Sequence, residues 1–301
     1  MKQHRLLQQK PGAIFFTLAN YALLTLAALL VLYPVYYCVM LSFNDGNDAA
    51  RGGIYFWPRV FTVENYRYVL TDPNIAHAAF ITVARTVLGT LAALLVTSMY
   101  SYALTREDML FRRFYKTLGV LTMYMVPGLI PCILLIRGLG LYDQFIVYIV
   151  VYLFAMFYAI LFLSFFKEIP AALAESARID GAGDLTIFFR IIAPVSKPVF
   201  ATVGLFLGIN QWNYWFDTMI YTKSPDLETL AHLLTVMLNS SRATEVLAAG
   251  KQMGVAVISG GVTSTAVMLA SMVVTAFPIM VVYPLLQGYF VKGATLGSIK
   301  G

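Results

Sequence analysis

No charged residue interrupts positions 11–44, and this run of thirty-four uncharged residues, apolar from Ile14 to Met40, constrains the chain more than any other feature. A membrane-crossing helix needs about 20 mostly apolar residues to span a hydrocarbon core of about 30 Å. The run is long enough for one tilted span. A secretory signal would have an apolar core of about 7–15 residues and a small-residue cleavage site. Neither is visible, so the segment is expected to be retained. The whole chain agrees: 59% of its 301 residues are hydrophobic and 12% are charged, with a mean hydropathy of +0.75. A water-facing domain carries about 25% charged residues, so an ordinary cytosolic enzyme, a disordered chain and a secreted disulfide scaffold are excluded. Cys38 and Cys132 both sit in apolar segments and read as small hydrophobes.

Charges punctuate five further apolar stretches, at about 77–104, 117–136, 144–166, 198–220 and 265–290. Six spans place both termini on one side. That side carries Lys2, Arg5 and Lys10; Arg106, Arg112, Arg113 and Lys116; Lys167, Arg178, Arg190 and Lys197; and Lys292 and Lys300, thirteen basic residues in all. The opposite side carries seven, spread over more sequence. Basic excess marks cytoplasmic loops, so both termini are expected in the cytoplasm. The net charge of +6 then reflects topology, and no nucleic-acid partner is expected. The long outer loops, 44–75 and 222–264, suit either an external partner or passive connection.

One cytoplasmic loop, 167–198, has a legible interior. Pro170 fits a first helical position, and the Ala-rich stretch to Ile179 favours helix. Gly181 and Gly183 stop it, and Asp184 can cap a second helix. In that helix Leu185, Phe188, Phe189 and Ile192 form an apolar stripe, with Pro194 and Pro198 ending it. The residues alone are compatible with a docking lever for a soluble partner or with a helix lying among lipid headgroups.

The spacing Glu175-Ser176-Ala177, three residues, Gly181, nine residues, Ile191, one residue, Ala193-Pro194 resembles the EAA loop of ABC importer permeases. Ser176 and Ala193 depart from that pattern, which has Ala and Leu there. The stretch Ala177 to Ala182 with Phe188 to Ile192, the block Asn210 to Asp217, and the ending Gln287 to Gly301 resemble the carbohydrate-uptake, MalG-like branch across essentially the whole chain. The resemblance implies an all-α polytopic membrane protein, with six transmembrane helices in the type I importer fold and cytoplasmic coupling helices. It implies a single transmembrane domain over 1–301, with core spans at about 77–290. Glu175, Ser176, Ala177, Asp180, Gly181, Ile191 and Pro194 would couple to an ATPase. Partners would be a second homologous permease subunit, two ATP-binding subunits docking on the loop, and a periplasmic or extracellular solute-binding protein. ATP and Mg would be bound by those ATPase subunits, with no cofactor in this chain. The setting would be a bacterial cytoplasmic membrane.

The sequence has no Gly-x4-Gly-Lys-Ser/Thr loop to cradle phosphate, so ATP hydrolysis must lie elsewhere. His4, His77 and His232 are too scattered for a metal set, and no Gly-x-Ser-x-Gly elbow appears. Two ionisable residues, Arg85 and Asp217, fall within spans. Such residues default to functional candidates, but both lie towards outer span ends, where snorkelling to water is the simpler expectation. Asn210, Trp212, Asn213 and Trp215 supply amides and flat rings of the kind that bind sugars, although aromatic residues are also enriched at membrane interfaces for other reasons. An ion-coupled secondary transporter is the alternative, but it would want several buried acidic sites, and only Asp217 qualifies. Within the family the likeness leans to the branch that handles acidic oligosaccharides such as alginate and aldouronate. The charge distribution does not bear on that choice.

Overall fold

A computed structural model describes residues 11–125, 127–251, 257–259 and 262–296. The chain runs through α1 (Pro11–Ser42), α2 (Gly46–Ala50), α3 (Glu64–Thr71), α4 (Pro73–Thr105), α5 (Arg112–Tyr124), α6 (Leu129–Gly138), α7 (Val147–Val150) and α8 (Met156–Phe166). It continues through α9 (Ala171–Ile179), α10 (Asp184–Ile187), a π-turn (Phe188–Ile192), α11 (Ala193–Val195), α12 (Lys197–Asn213), α13 (Phe216–Tyr221) and α14 (Leu230–Lys251). A two-strand ribbon, β1 (Val257–Ser259) with β2 (Val262–Thr263), precedes α15 (Ser264–Leu296). The expected all-α class holds.

Among the described residues three helices, α1, α4 and the first part of α15, are long and apolar enough to cross a bilayer. The count rises to five if α8 with α9, and α10–α11 with α12, are each taken as one bent span. The other expected spans are broken. The third is divided between α5, which ends at Tyr124, and α6, which begins at Leu129, the fourth at 151–155 between α7 and α8, and the fifth at Tyr214–Trp215 between α12 and α13. Backbone irregularity at membrane depth persists only where protein or a cavity surrounds it, so these breaks direct attention to what faces them.

Two compact units divide the chain. In the first, Met1–Thr71 with Met237–Val274, α1 exposes apolar side chains along its length, from Phe15 to Val35. Its end is tied by buried Asn65, whose Nδ2 donates to the Ser42 and Asn44 carbonyls at 2.9 Å. The second unit, Asp72–Val236 with Thr275–Gly301, is organised by α4. Asp72 accepts the Asn74 N–H at 2.8 Å and Pro73 occupies the first turn, a standard helix start. Buried small residues then recur every four positions, at Gly89, Ala93, Thr97 and Ser101. This seam lets α8 and α12 approach closely. From α12, Gly204 faces the Leu94 side chain and Gly208 faces Thr90. Ser101 Oγ donates across to the Ala159 carbonyl on α8 at 2.9 Å.

Candidate functional site

The loop 167–198 folds into two short arms that turn sharply off the spans. The α8–α9 bend is 79°, and the bend between α10–α11 and α12 is 84°. Pro170 precedes α9 as its cap residue. At the far end Gly181 adopts φ +81°, its N–H donates to the Arg178 carbonyl at 2.9 Å, and the Ala182 N–H donates to the Ala177 carbonyl at 2.9 Å. This is a Schellman stop, with glycine in the left-handed position the motif requires. Gly183 has an ordinary negative φ and caps α10, so the cap expected of Asp184 falls one residue earlier. Asp184 instead pairs with Arg106 at the end of α4 and lies 3.8 Å from Arg178.

The two arms have different surroundings. No residue of α9 is buried. Glu175, Ser176, Asp180 and Gly181 are exposed, and Ile179 is 88% exposed, while Ala174 and Ala177 turn towards the core. In the second arm Ile187, Phe188 and Ile192 are buried in one cluster with Ala93 of α4, Phe162 and Phe166 of α8, and Val199, Val203 and Leu207 of α12. Ile191 packs against that cluster and Pro194 is exposed. Two expectations are corrected here. The apolar stripe is Ile187, Phe188 and Ile192, whereas Leu185 and Phe189 are exposed. Pro194 does not end the helix, which continues to Val195 through the π-turn at Phe188–Ile192. Proline in a helix lacks a donor and crowds the preceding turn, and here that preceding turn is the π-turn Phe188–Ile192, a single-turn bulge within the helix. The break comes at Ser196.

Beside α9 lies a cleft of about 650 Å³, lined in part by Glu107, Arg112, Lys167, Glu175 and Arg178. The Arg106 guanidinium bonds Asp108 as well as Asp184 and holds the Asp108 carboxyl down at about 2. Sequence reading missed this role for Arg106, because nothing local links it to a residue 78 positions away.

The intramembrane charges do not snorkel. Arg85 on α4 and Asp217 on α13 form an ion pair at 2.6 Å with side chains 0% and 1% exposed. Removing either partner from such a pair would strand a buried charge. Gln211 completes the group, its Oε1 accepting from Arg85 Nε and NH2 at 3.2 and 3.1 Å and its Nε2 donating to the Tyr148 carbonyl at 3.1 Å. The Arg85 guanidinium stands 4.4 Å over the Tyr148 ring.

The four proposed pathway residues lie around the α12–α13 break but do not converge on one spot. Asn210 lines a cavity of about 220 Å³ with Tyr152, Phe154, Tyr158 and Gln211, and its Nδ2 donates to the Tyr158 hydroxyl at 2.8 Å. Trp212 faces away, donating its indole N–H to the Thr275 carbonyl at 3.1 Å and lining a separate apolar cavity with Pro278 and Val282. Asn213 bonds back to the Ile209 carbonyl, and Trp215 stacks edge-on with Phe216. Tyr152 and Tyr158 carry no sequence signal that separates them from the chain's other tyrosines. They come together with Asn210 only because α7–α8 breaks beside α12.

The model of the binding-protein-dependent transport system inner membrane component family matches residues 86–296. The chain belongs to this family. The permease is 31% identical over 288 residues to the polygalacturonan/rhamnogalacturonan transport system permease protein YtcP of Bacillus subtilis (strain 168), covering 95% of this chain and 98% of that one. It is 30% identical to Protein LplC of the same organism, with 99% of each chain covered. Its fold matches, at a TM-score of 0.85 and 28% identity, a chain in the crystal structure of a bacterial ABC transporter involved in the import of the acidic polysaccharide alginate, covering 94% of this chain and 99% of that one. The permease therefore has the type I importer fold, is a multi-pass membrane protein, and is a transport subunit rather than an enzyme. Importers of this family work with a partner permease, ATPases and a binding protein. The ion-coupled alternative finds no support.

Proposed function

We propose that this permease imports carbohydrate, in oligosaccharide form and of the acidic class, across the bacterial cytoplasmic membrane with both termini cytoplasmic. It would pair with a second, homologous permease, take its energy from two ATPase subunits that hold ATP and Mg, and receive substrate from an external binding protein. Nucleic acid and a resident cofactor have no place in this reading. Lipid would cover apolar surface of the spans. The observation that carries the coupling role is the division of labour in the loop. An exposed arm carrying Glu175, Ser176, Asp180 and Gly181, with Ala177 turned inward, is joined through the Gly181 turn to a second arm whose Ile187, Phe188 and Ile192 sit among the membrane helices. Displacement of the first arm by ATPase closure would pass through the Gly181 turn to the second arm, whose packed side chains would transmit it to the membrane helices rather than absorb it. Ile191 and Pro194 belong to the driven arm.

The acidic class rests on what the similar proteins are described as importing, and Asn210, Asn213 and Trp215 near the broken helices are the groups proposed to meet sugar, with Trp212 supporting them from behind. The test is uptake of labelled oligogalacturonates and of neutral oligosaccharides by proteoliposomes holding the complete importer. ATP-dependent uptake of the acidic oligomers alone is expected. Uptake of neutral oligomers alone refutes the acidic class, and transport driven by an ion gradient without ATP refutes the whole reading.

A further inference from the structure

The ion pair between Arg85 and Asp217 has a geometry that exceeds what charge compensation needs. Arg85 has five N–H donors, and all five are engaged. Nε and one NH2 proton go to Gln211 Oε1, the second NH2 proton and one NH1 proton go to the two Asp217 oxygens, and the remaining NH1 proton reaches the Tyr214 carbonyl at 3.3 Å. The last contact is the informative one. Tyr214 is the residue at which α12 stops, with an extended backbone of φ −79° and ψ 121° before α13 resumes at Phe216. A helix end leaves carbonyls without intrahelical partners, and in a membrane such a group must be satisfied by protein. Arg85 satisfies it from α4.

Of the two residues that Arg85 grips besides Asp217, one belongs to the wall of the Asn210–Tyr158 cavity and the other packs against that wall. Gln211 lines it directly. Tyr214 packs its ring edge-on against Tyr152, another lining residue, with centroids 5.4 Å apart. Gln211 is also pinned at its other end by the Tyr148 carbonyl, and the Tyr148 hydroxyl is fixed in turn by the Thr218 hydroxyl at 3.1 Å and the Leu227 carbonyl at 2.7 Å. Gly89, one turn along α4 from Arg85, leaves room for the Gln211 amide, since a Cβ there would lie 2.5 Å from Nε2.

We propose that Arg85 is a positioning residue for substrate recognition, holding the unwound Tyr214–Trp215 step and the Gln211 side chain so that the Asn210–Tyr152–Tyr158 cavity keeps one shape. Asp217 is its counter-charge and orienter. The inference rests on the reading that this cavity borders the sugar path. It assigns Arg85 no contact with sugar and no part in proton or ion movement.

The complete importer in proteoliposomes is compared as wild type, as Arg85→Met/Asp217→Leu, which removes both charges together, and as Arg85→Lys, which keeps the pair but lacks the forked donors. Assembly is checked by gel filtration of the complex in detergent. In assembled complexes, KM for oligosaccharide uptake is expected to rise about tenfold or more in both variants, with kcat changing far less, because a misplaced recognition wall weakens binding before it slows turnover. A purely structural ion pair predicts fewer assembled complexes with wild-type KM in those that remain. That outcome, or failure of both variants to assemble, overturns the proposal. If wild type itself takes up no sugar, the reading of the pathway fails instead, so the two failures are separable.

Discussion

The sharpest perturbation of the coupling loop is at Gly181. Its φ of +81° lies in the left-handed region, and a Cβ added there would meet no heavy atom within 4 Å. Steric collision therefore contributes nothing, and the cost of Gly181→Ala is the backbone preference alone, about 1–2 kcal/mol. Since 1.4 kcal/mol is a factor of about ten in an equilibrium constant, alanine should lower the ratio of formed to unformed Schellman turn by about five- to thirtyfold relative to glycine. Asn, which tolerates this region better, should fall between. Proline is a different case. Its φ is locked near −65°, and it would delete the N–H that bonds the Arg178 carbonyl, so the turn between the arms cannot form. The assay is ATPase stimulation by loaded binding protein and uptake per ATP hydrolysed, in proteoliposomes. The expected order of coupling is Gly, Asn, Ala, then Pro, with uptake lost before membrane insertion is. An assembled Gly181→Pro complex with wild-type uptake and ATPase stimulation would show that the turn does not link ATPase to membrane helices.

Other outcomes follow from individual contacts. Gly89→Ala should displace the Gln211 amide with its three hydrogen bonds at a cost of about 1–3 kcal/mol and raise KM for uptake, because the added Cβ falls 2.5 Å from Nε2; uptake kinetics and detergent melting of the same sample check both parts. Trp212→Phe keeps the ring but loses the bond to the Thr275 carbonyl, so it should lower melting stability by about 0.5–1.5 kcal/mol with uptake retained. Asp108 is held down at about 2 by the Arg106 hydrogen bond. A depressed carboxyl stabilises fully above its unfolded value of about 3.9 and loses that contribution as pH falls towards 2. Asp108→Asn should therefore lower the melting temperature slightly at pH 7 and not at all near pH 2, as thermal melts across pH would record.

Features encoded over a few neighbouring residues were legible in the sequence. The uncharged run became α1, and Gly181 sits in the left-handed turn its position in the loop demanded. Features that require distant partners were not. Arg85 and Asp217 are 132 residues apart, and seen singly each suggests a side chain reaching for water, because a lone charge in hydrocarbon has no cheaper option. Only folding supplies the partner that makes burial tolerable. The helix breaks were hidden for a related reason. The 198–220 stretch carries no charge before Asp217 and reads as one continuous span, and its interruption at Tyr214 is stabilised by a donor from α4 rather than by glycine or proline. The π-turn at Phe188–Ile192 does have a local cause in Pro194, but the same proline is equally consistent with simple termination.

Arg85 within α4 and Arg106, the residue that caps its C-terminal end, tie both proposed sites to one helix. Arg85 grips the broken helix beside the cavity, and Arg106 at the C-terminal end grips Asp184 at the start of the driven arm. Twenty-one residues separate them, about 32 Å along a helix axis, close to the thickness of the hydrocarbon core. Between them the Gly204–Leu94 and Gly208–Thr90 contacts hold α12 against α4, so on the proposed coupling role a shift of the second arm would have two routes to the cavity, through α12 and through α4. The Arg106 contact is partly exposed, with side chains 17% and 61% accessible, and such pairs contribute only about 0–1 kcal/mol to stability. Its loss should spare folding and show in transmission instead. A double-mutant cycle of Arg106→Gln and Asp184→Asn, read as uptake per ATP hydrolysed, should give a coupling term between the two sites while melting temperatures stay near wild type. Additive effects on uptake would mean that α12 alone carries the motion and that the α4 route is passive.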